Sequence, residues 1–320
     1  MITWTMLYLF VVVWAYVVFG GADFGGGSLE QTIRKYPNLR LKLQKTLGPI
    51  WEANHVWLIA AVVILFVGFP KAYAKLLTYE FIPVSLALIG IAVRGTFFTL
   101  RKYDPEPGNW LKMYSAMFRL SSFLTPFCFG WILGDMMTPI EQQGSWESVG
   151  FNLAIGLFTS ALFTYLAAVF FFGEVKGEEQ TIIASRIVPL FFLVFVVGGV
   201  VLGWGYLSHR VTLEQALNPY QIVVQFLAML SILFVWKSVQ KSQSWSLRLW
   251  GGFQVSCILS GWWITQSPHF LYTEEGSLTL QMAASPDNVL AAMNWTLTLV
   301  LLVVAPALAY LIYLFQKKEV

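Results

Sequence analysis

Trp51-Glu52-Ala53-Asn54-His55-Val56-Trp57-Leu58-Ile59 opens an apolar run that continues through Ala60-Ala61-Val62-Val63-Ile64-Leu65-Phe66-Val67-Gly68-Phe69. About 20 apolar residues are enough to cross a bilayer as a helix. The run therefore predicts a transmembrane span, and it sets the class of the protein. Glu52 and His55 stand at its mouth, three residues apart and so on one helix face. Inserting an ionisable group at mid-membrane costs roughly 2.5–3.5 kcal/mol. Such groups mark proton or ion routes more often than inert lipid-facing surface.

The rest of the chain agrees with this reading. It is 57% apolar and 12% charged, with a mean hydropathy of +0.66, where a soluble domain carries about 25% charged residues. An all-α integral membrane protein is expected, forming a single domain over residues 1–320. A net charge of +3 is too small to point to nucleic acid. Cys128 and Cys257 both fall within apolar runs, so neither reads as a disulfide or redox cysteine. Met1–Phe19 lacks a basic n-region and exceeds a signal h-region in length, so it reads as a retained first span.

Runs long enough to cross lie near 2–22, 51–70, 79–100, 113–134, 149–173, 184–206, 219–236, 248–266 and 288–315, about nine in all. The longest inner connection is 23–50 and the longest outer one 267–287. Fifteen of the Lys and Arg residues fall in alternate connections and the C-terminal tail, and only Lys71, Lys75 and Arg210 on the opposite side. The positive-inside rule then places the N-terminus outside and the C-terminus in the cytoplasm. Continuous rather than alternating apolar runs exclude a barrel. Arg94 and Arg119 lie inside the third and fourth spans. This topology gathers Asp23, Glu52, His55, Arg94 and Arg119 into the cytoplasmic third of the bilayer. Arg119 reads as snorkelling to the interface, and Arg94 has Glu52 available as a counter-charge.

Gly20-Gly21-Ala22-Asp23-Phe24-Gly25-Gly26-Gly27 follows the first span. Without GK[ST] it is no phosphate cradle. It reads as a helix stop combined with tight backbone packing, and Asp23 as either a helix-end cap or a proton acceptor. Of three histidines only His55 falls at a span, so haem ligation by this chain is not expected, and no metal-ligand spacing is present. The abundant Trp and Tyr residues read as interfacial belts. Gly261-Trp262-Trp263 and Phe270-Leu271-Tyr272 could also wall a quinone or lipid pocket.

Three motifs together resemble subunit II of the cytochrome bd-type quinol oxidases, including the cyanide-insensitive-type relatives. Gly21-Ala22-Asp23-Phe24-Gly25-Gly26-Gly27 resembles a G-x-D-x-G-x-G signature. Gly48-Pro49-Ile50-Trp51-Glu52-Ala53-Asn54-His55-Val56-Trp57-Leu58 resembles P-x-W-[DE]-x-N-x-V-W-L, and Arg94-Gly95-Thr96-Phe97-Phe98 the R-G-x-x-F that closes the third span. Ser277-Leu278-Thr279 with Ala283-Ala284-Ser285-Pro286 is similar to the family's segment before its last span. The likeness covers nearly the full length.

The resemblance implies two four-helix bundles plus a peripheral helix, in the bacterial cytoplasmic (inner) membrane. It implies a heterodimer with a haem-bearing subunit I, which holds haems b and d, oxidises quinol and reduces O2 to water. It implies no redox haem on this chain, and small accessory subunits could join the complex. By the same resemblance Glu52 is the acid that takes up cytoplasmic protons, Asp23 the acid of the glycine motif and Arg94 the arginine ending span three. One place departs from the family: Phe98-Thr99-Leu100-Arg101 puts Thr99 where relatives carry an acid. The implied proton path is thus Asp23, Glu52, His55, Arg94 and Thr99, with Thr99 able to pass a hydrogen bond but not to hold charge. From the residues alone, Glu52 also reads as half of a structural ion pair. A proton-coupled transporter and a purely structural scaffold remain alternative functions.

Overall fold

The computed structural model describes the chain except residues 105–107, 109, 213, 215–216 and 318–320. Among helical residues, the side chains of 49–53, 305, 308–309 and 311–317 are also outside the described set. Helix α1 (Ile2–Ala15) passes through a single wide π turn (Tyr16–Gly20) into α2 (Gly21–Thr32). The backbone stays right-handed helical at Gly20 (φ −66, ψ −35) and Gly21 (φ −58, ψ −44). The glycine run is therefore not a helix stop, and Asp23 is not a helix-end cap.

Its purpose is close packing. A Cβ on Gly25 would lie 1.8 Å from the carbonyl oxygen of Phe163. Only glycine lets α2 press its backbone against the helix that carries Phe163. A glycine inside a helix costs about 1 kcal/mol relative to alanine, and the close crossing offsets it.

Helix α3 (Pro37–Gly68) starts at a proline, which suits the first helical turn. The expected inner connection 23–50 is thereby mostly helix, and only residues 33–36 join α2 to α3. Phe69 leaves the helical region (φ −137, ψ 58), as the residue before Pro70 tends to do. The chain then bends by 115° into α4 (Pro70–Tyr79). Next come α5 (Phe81–Tyr103), α6 (Trp110–Met136), α7 (Trp146–Phe171) and α8 (Glu178–Leu207). They are followed by α9 (Pro219–Gln240), α10 (Ser244–Gln266) and α11 (Asp287–Lys317). Ser145 caps α7 and Asn218 caps α9, each side-chain oxygen accepting a backbone N–H of the first turn. The outer connection 267–287 is not plain loop. It holds an antiparallel hairpin of β1 (His269–Thr273) and β2 (Gly276–Thr279), with Leu271 opposite Leu278.

Among the described residues, seven helical segments are long and apolar enough to cross a membrane, or eight if the bent pair 54–68 and 70–79 is one span. The ninth expected run, 248–266, is helical as α10 but is not among them. Its polar residues, such as Gln254 and Ser256, dilute the run.

Helix α7 is the hub. In its apolar stretch 78% of residues are buried, against 11–39% in the other spans, so it packs on protein while they face outward. Helices α2, α6 and α8 pack on it directly, and α5 on α6. Gly130 and Gly134 of α6 face α7 so closely that a Cβ on Gly130 would lie 2.6 Å from the Ile155 carbonyl oxygen. This small-xxx-small spacing lets membrane helices meet backbone to backbone.

Candidate functional site

Helices α2 and α5 carry matched charges. Asp23 and Glu30 are seven residues apart on α2, and Arg94 and Arg101 seven apart on α5. Seven residues are two helical turns, so each pair shares a face, with rungs about 10 Å apart. The structure pairs them in register. Arg94 Nη2 donates to Asp23 Oδ1 at 2.7 Å, and Arg101 Nη2 to Glu30 Oε2 at 2.9 Å.

The deeper rung is fully enclosed. Asp23 and Arg94 are each 1% exposed. Arg94 Nη2 also donates to the Asp23 carbonyl at 2.9 Å, and Nε to Ser122 Oγ of α6 at 3.2 Å. Its guanidinium lies over the rings of Phe24 and Phe118, at 4.9 and 5.3 Å. Gly27 makes room for this, since a Cβ there would lie 2.2 Å from Ser122 Oγ. The glycine motif thus seats both the helix crossing and the ion pair. Asp23 Oδ2 is buried with no hydrogen-bond partner among the described residues.

His55 is half-buried and lies near enough to act electrostatically on Asp23. Tyr16, the first residue of the π turn, acts on Asp23 and Arg94. Beside His55, Asn54 Nδ2 donates to the Phe19 carbonyl at 3.2 Å, tying α3 to the π turn. The structure therefore brings Asp23, Arg94 and His55 together. Thr99 is exposed, off the buried face that holds Arg94. Glu52 lies on α3 three residues before His55, and its side chain is outside the described residues. Among the described residues the counter-charge of Arg94 is Asp23, and the side chain of the expected partner Glu52 lies outside them.

The shallower rung is larger than expected. Glu30 is 1% exposed. Besides Arg101 it accepts from Arg40 Nη2 at 2.8 Å and Arg119 Nη1 at 3.4 Å. Arg119 thus has a partner, although a quarter of its side chain stays exposed, as a snorkelling residue's would. Glu30 escaped the sequence reading because 23–50 was taken as a connection. The seven-residue spacing from Asp23 was the available signal.

A second polar region sits at the opposite helix ends. Glu80, at the start of α5, and Asp135, near the end of α6, hydrogen bond to each other. Asp135 also accepts from Asn152 Nδ2 of α7 at 2.7 Å. Burial, with the Asp135 charge and hydrogen bond acting the same way, pushes Glu80 up to about 8. A cleft with room for about one water opens beside the pair, between Tyr79, Gln143 and Tyr272. Neither acid was singled out in the sequence. At the same end, Trp262, Trp263, Gln266 and Phe270 line a cavity of about 40 Å³. There Trp262 Nε1 and His269 Nδ1 are buried with no hydrogen-bond partner among the described residues. No group of three or more His, Cys, Asp or Glu side chains among the described residues could hold a metal ion.

Long apolar helices around a buried acid–arginine ladder define a multi-pass helical membrane protein with charge stored in its interior. Residues 1–315 match the family described as cytochrome bd terminal oxidase subunit II, and the chain belongs to that family. Among curated relatives it is 33% identical over 111 residues to the cytochrome bd ubiquinol oxidase subunit 2 of Bacillus subtilis, covering 34% of this chain and 32% of that one. It is 27% identical over 127 residues to the cytochrome bd-I ubiquinol oxidase subunit 2 of Escherichia coli K12, covering 40% and 33%. The chain thus spans about a third of the length of the curated relatives it matches. Its fold is similar to a chain of the bd oxidase from Geobacillus thermodenitrificans, with a TM-score of 0.80, 18% identity and 98% of each chain covered.

Proposed function

We propose that this chain is subunit II of a cytochrome bd-type quinol oxidase in the bacterial cytoplasmic membrane, and that it acts only within that complex. The single observation that carries the reading is the family match along residues 1–315. In this reading a haem-bearing subunit I oxidises quinol and reduces O2 to water. The chain described here braces that subunit and holds no redox haem itself. Its nine spans form two four-helix bundles and a peripheral helix, with the N-terminus outside and the C-terminus in the cytoplasm. The basic residues at one set of helix ends support that orientation.

A proton-uptake path from the cytoplasm runs through this chain in the same reading, along Glu52, His55, Asp23, Arg94 and Thr99. What supports it is that His55 lies near enough to act electrostatically on a buried Asp23 whose Oδ2 has no hydrogen-bond partner among the described residues. Roles divide by charge. Neutralising Asp23 would strand the Arg94 charge in a low-dielectric interior, which is costly. The Asp23–Arg94 pair therefore sets the local field, while Glu52 and His55 carry the proton.

The test is purification through a tag on this chain in mild detergent, then a reduced-minus-oxidised visible spectrum. Haem b and d bands with a second large subunit are expected, and a colourless solitary protein would overturn the oxidase reading. Oxygen consumption by an intact complex carrying Glu52→Gln then tests the path. A fall of roughly 100-fold or more is expected when a positioned proton carrier is removed. Normal turnover would leave this chain with bracing alone.

A further inference from the structure

The shallower rung is out of charge balance. Three guanidinium groups, from Arg40, Arg101 and Arg119, converge on the one carboxylate of Glu30. On Arg101, Glu30 acts as the attracting charge, while Arg40 and Arg119 repel it. A carboxylate neutralises one cation, so among the described residues of this cluster two positive charges remain. Arg101 is 3% exposed at its side chain, and its Nη1 is buried with no hydrogen-bond partner among the described residues. Arg40 and Arg119 differ from it, being 24% and 25% exposed. They carry donors to the surface from α3 and α6, on either side of the α2 terminus.

The depth of this surface is marked by side chains that prefer the membrane interface. Tyr36 lies between α2 and α3, Tyr103 ends α5 and Trp110 starts α6. They are 37%, 68% and 62% exposed. Exposed Tyr and Trp at helix ends sit at headgroup level. Clustered arginines between membrane helices on the cytoplasmic side are suited to anionic headgroups. Guanidinium is also the group that grips phosphate in a bidentate fashion.

We propose that Arg40 and Arg119, backed by Arg101, form a binding site for the phosphate of an anionic membrane lipid. The phosphate supplies the negative charge that Glu30 alone does not, and it clamps α2, α3, α5 and α6 at one end. The site rests on the membrane orientation proposed above but not on the oxidase activity, because its readout is bound lipid rather than turnover.

The experiment uses the protein purified with its partners in mild detergent and stripped of loose lipid. Native mass spectrometry then follows phosphatidylglycerol, phosphatidylcholine and inorganic phosphate, each added separately. The unmodified protein should hold phosphatidylglycerol in preference to phosphatidylcholine. Each arginine near the surface contributes about 1 kcal/mol, so R40Q/R119Q should weaken phosphatidylglycerol binding by roughly 30-fold. R40K/R119K, which keeps the charges, should retain most of it. Displacement of the lipid by millimolar inorganic phosphate would assign the same site to soluble phosphate. Equal binding of the two lipids, or unchanged binding in R40Q/R119Q, would overturn the proposal. Should R40Q/R119Q fail to accumulate, the unmodified protein decides the matter. Phosphatidylglycerol binding must fall as salt is raised, and salt-independent binding would count against the site.

Discussion

The two ends of α5 treat buried charge in opposite ways. Toward its C-terminus, Arg94 and Arg101 meet Asp23 and Glu30, opposite charges in register. At its N-terminus, Glu80 meets Asp135, two acids that can hydrogen bond only when a proton lies between them. An acid–arginine pair is stable in its charged form and resists titration. An acid–acid pair is stable only when one member is neutral, so it answers to pH. The difference teaches that one helix can carry a fixed charge ladder at one end and a titratable pair at the other. The choice of partner on the neighbouring helix decides which.

The largest effect expected from breaking this contrast is at Arg94. Arg94→Met leaves Asp23 buried without its cation, and removing one partner of a buried pair costs about 3–5 kcal/mol. The thermal unfolding midpoint of the purified protein should drop sharply, or the variant should fail to accumulate. Asp23→Leu combined with Arg94→Met removes both charges and should restore most of the loss, since an apolar replacement of a whole buried pair is often neutral. A double variant as unstable as the single one would mean that the pair acts through packing or backbone bonds rather than charge.

Much of this was legible in the sequence, for physical reasons. Hydropathy reports membrane helices directly, so most spans were found within a few residues. The alternation of spans put Asp23, Arg94 and His55 at one set of helix ends, and the structure brings these three together. The glycine run misled in one respect. Glycine signals both a helix end and a close crossing, and only the position of Phe163 on α7 separates the two. Reading the run as a stop also hid Glu30, which then fell in an apparent loop. Glu80 and Asp135 were missed because each looks like an ordinary polar residue at a helix end. Their meeting depends on α5 packing against α6, a fact of tertiary structure. The 115° bend after Gly68 was signalled only by Pro70.

The acid pair gives the next effect in size, read through pH. Glu80 ordinarily titrates near 4.5, and in the folded protein it is pushed up to about 8. Between those values the folded protein binds more protons than the unfolded chain. Stability therefore falls as pH rises through that window and levels off above it. Glu80→Gln has no proton to lose and can donate to Asp135 at any pH. The variant should unfold at a midpoint that changes less between pH 5 and pH 8 than the unmodified protein's does, by a margin smaller than the Arg94 effect because the adjoining cleft has room for a water that would screen the charge. An unaltered pH profile would show that Glu80 and Asp135 do not share a proton.

The smallest effect sharpens the comparison by moving the same chemistry outward. Lys42 of α3 pairs with Glu179 of α8, with side-chain exposures of 54% and 25%. The partners are as opposite in charge as Arg94 and Asp23, but water solvates both. An exposed pair contributes about 0.2–1 kcal/mol. Lys42→Gln should therefore shift the unfolding midpoint little, and less still at high salt, where surface charges are screened. If Lys42→Gln cost as much as Arg94→Met, burial would not be what distinguishes the ladder. The stability of the interior rungs would then have to come from the helix crossings at Gly25 and Gly27, where glycine lets α2 approach Phe163 and Ser122.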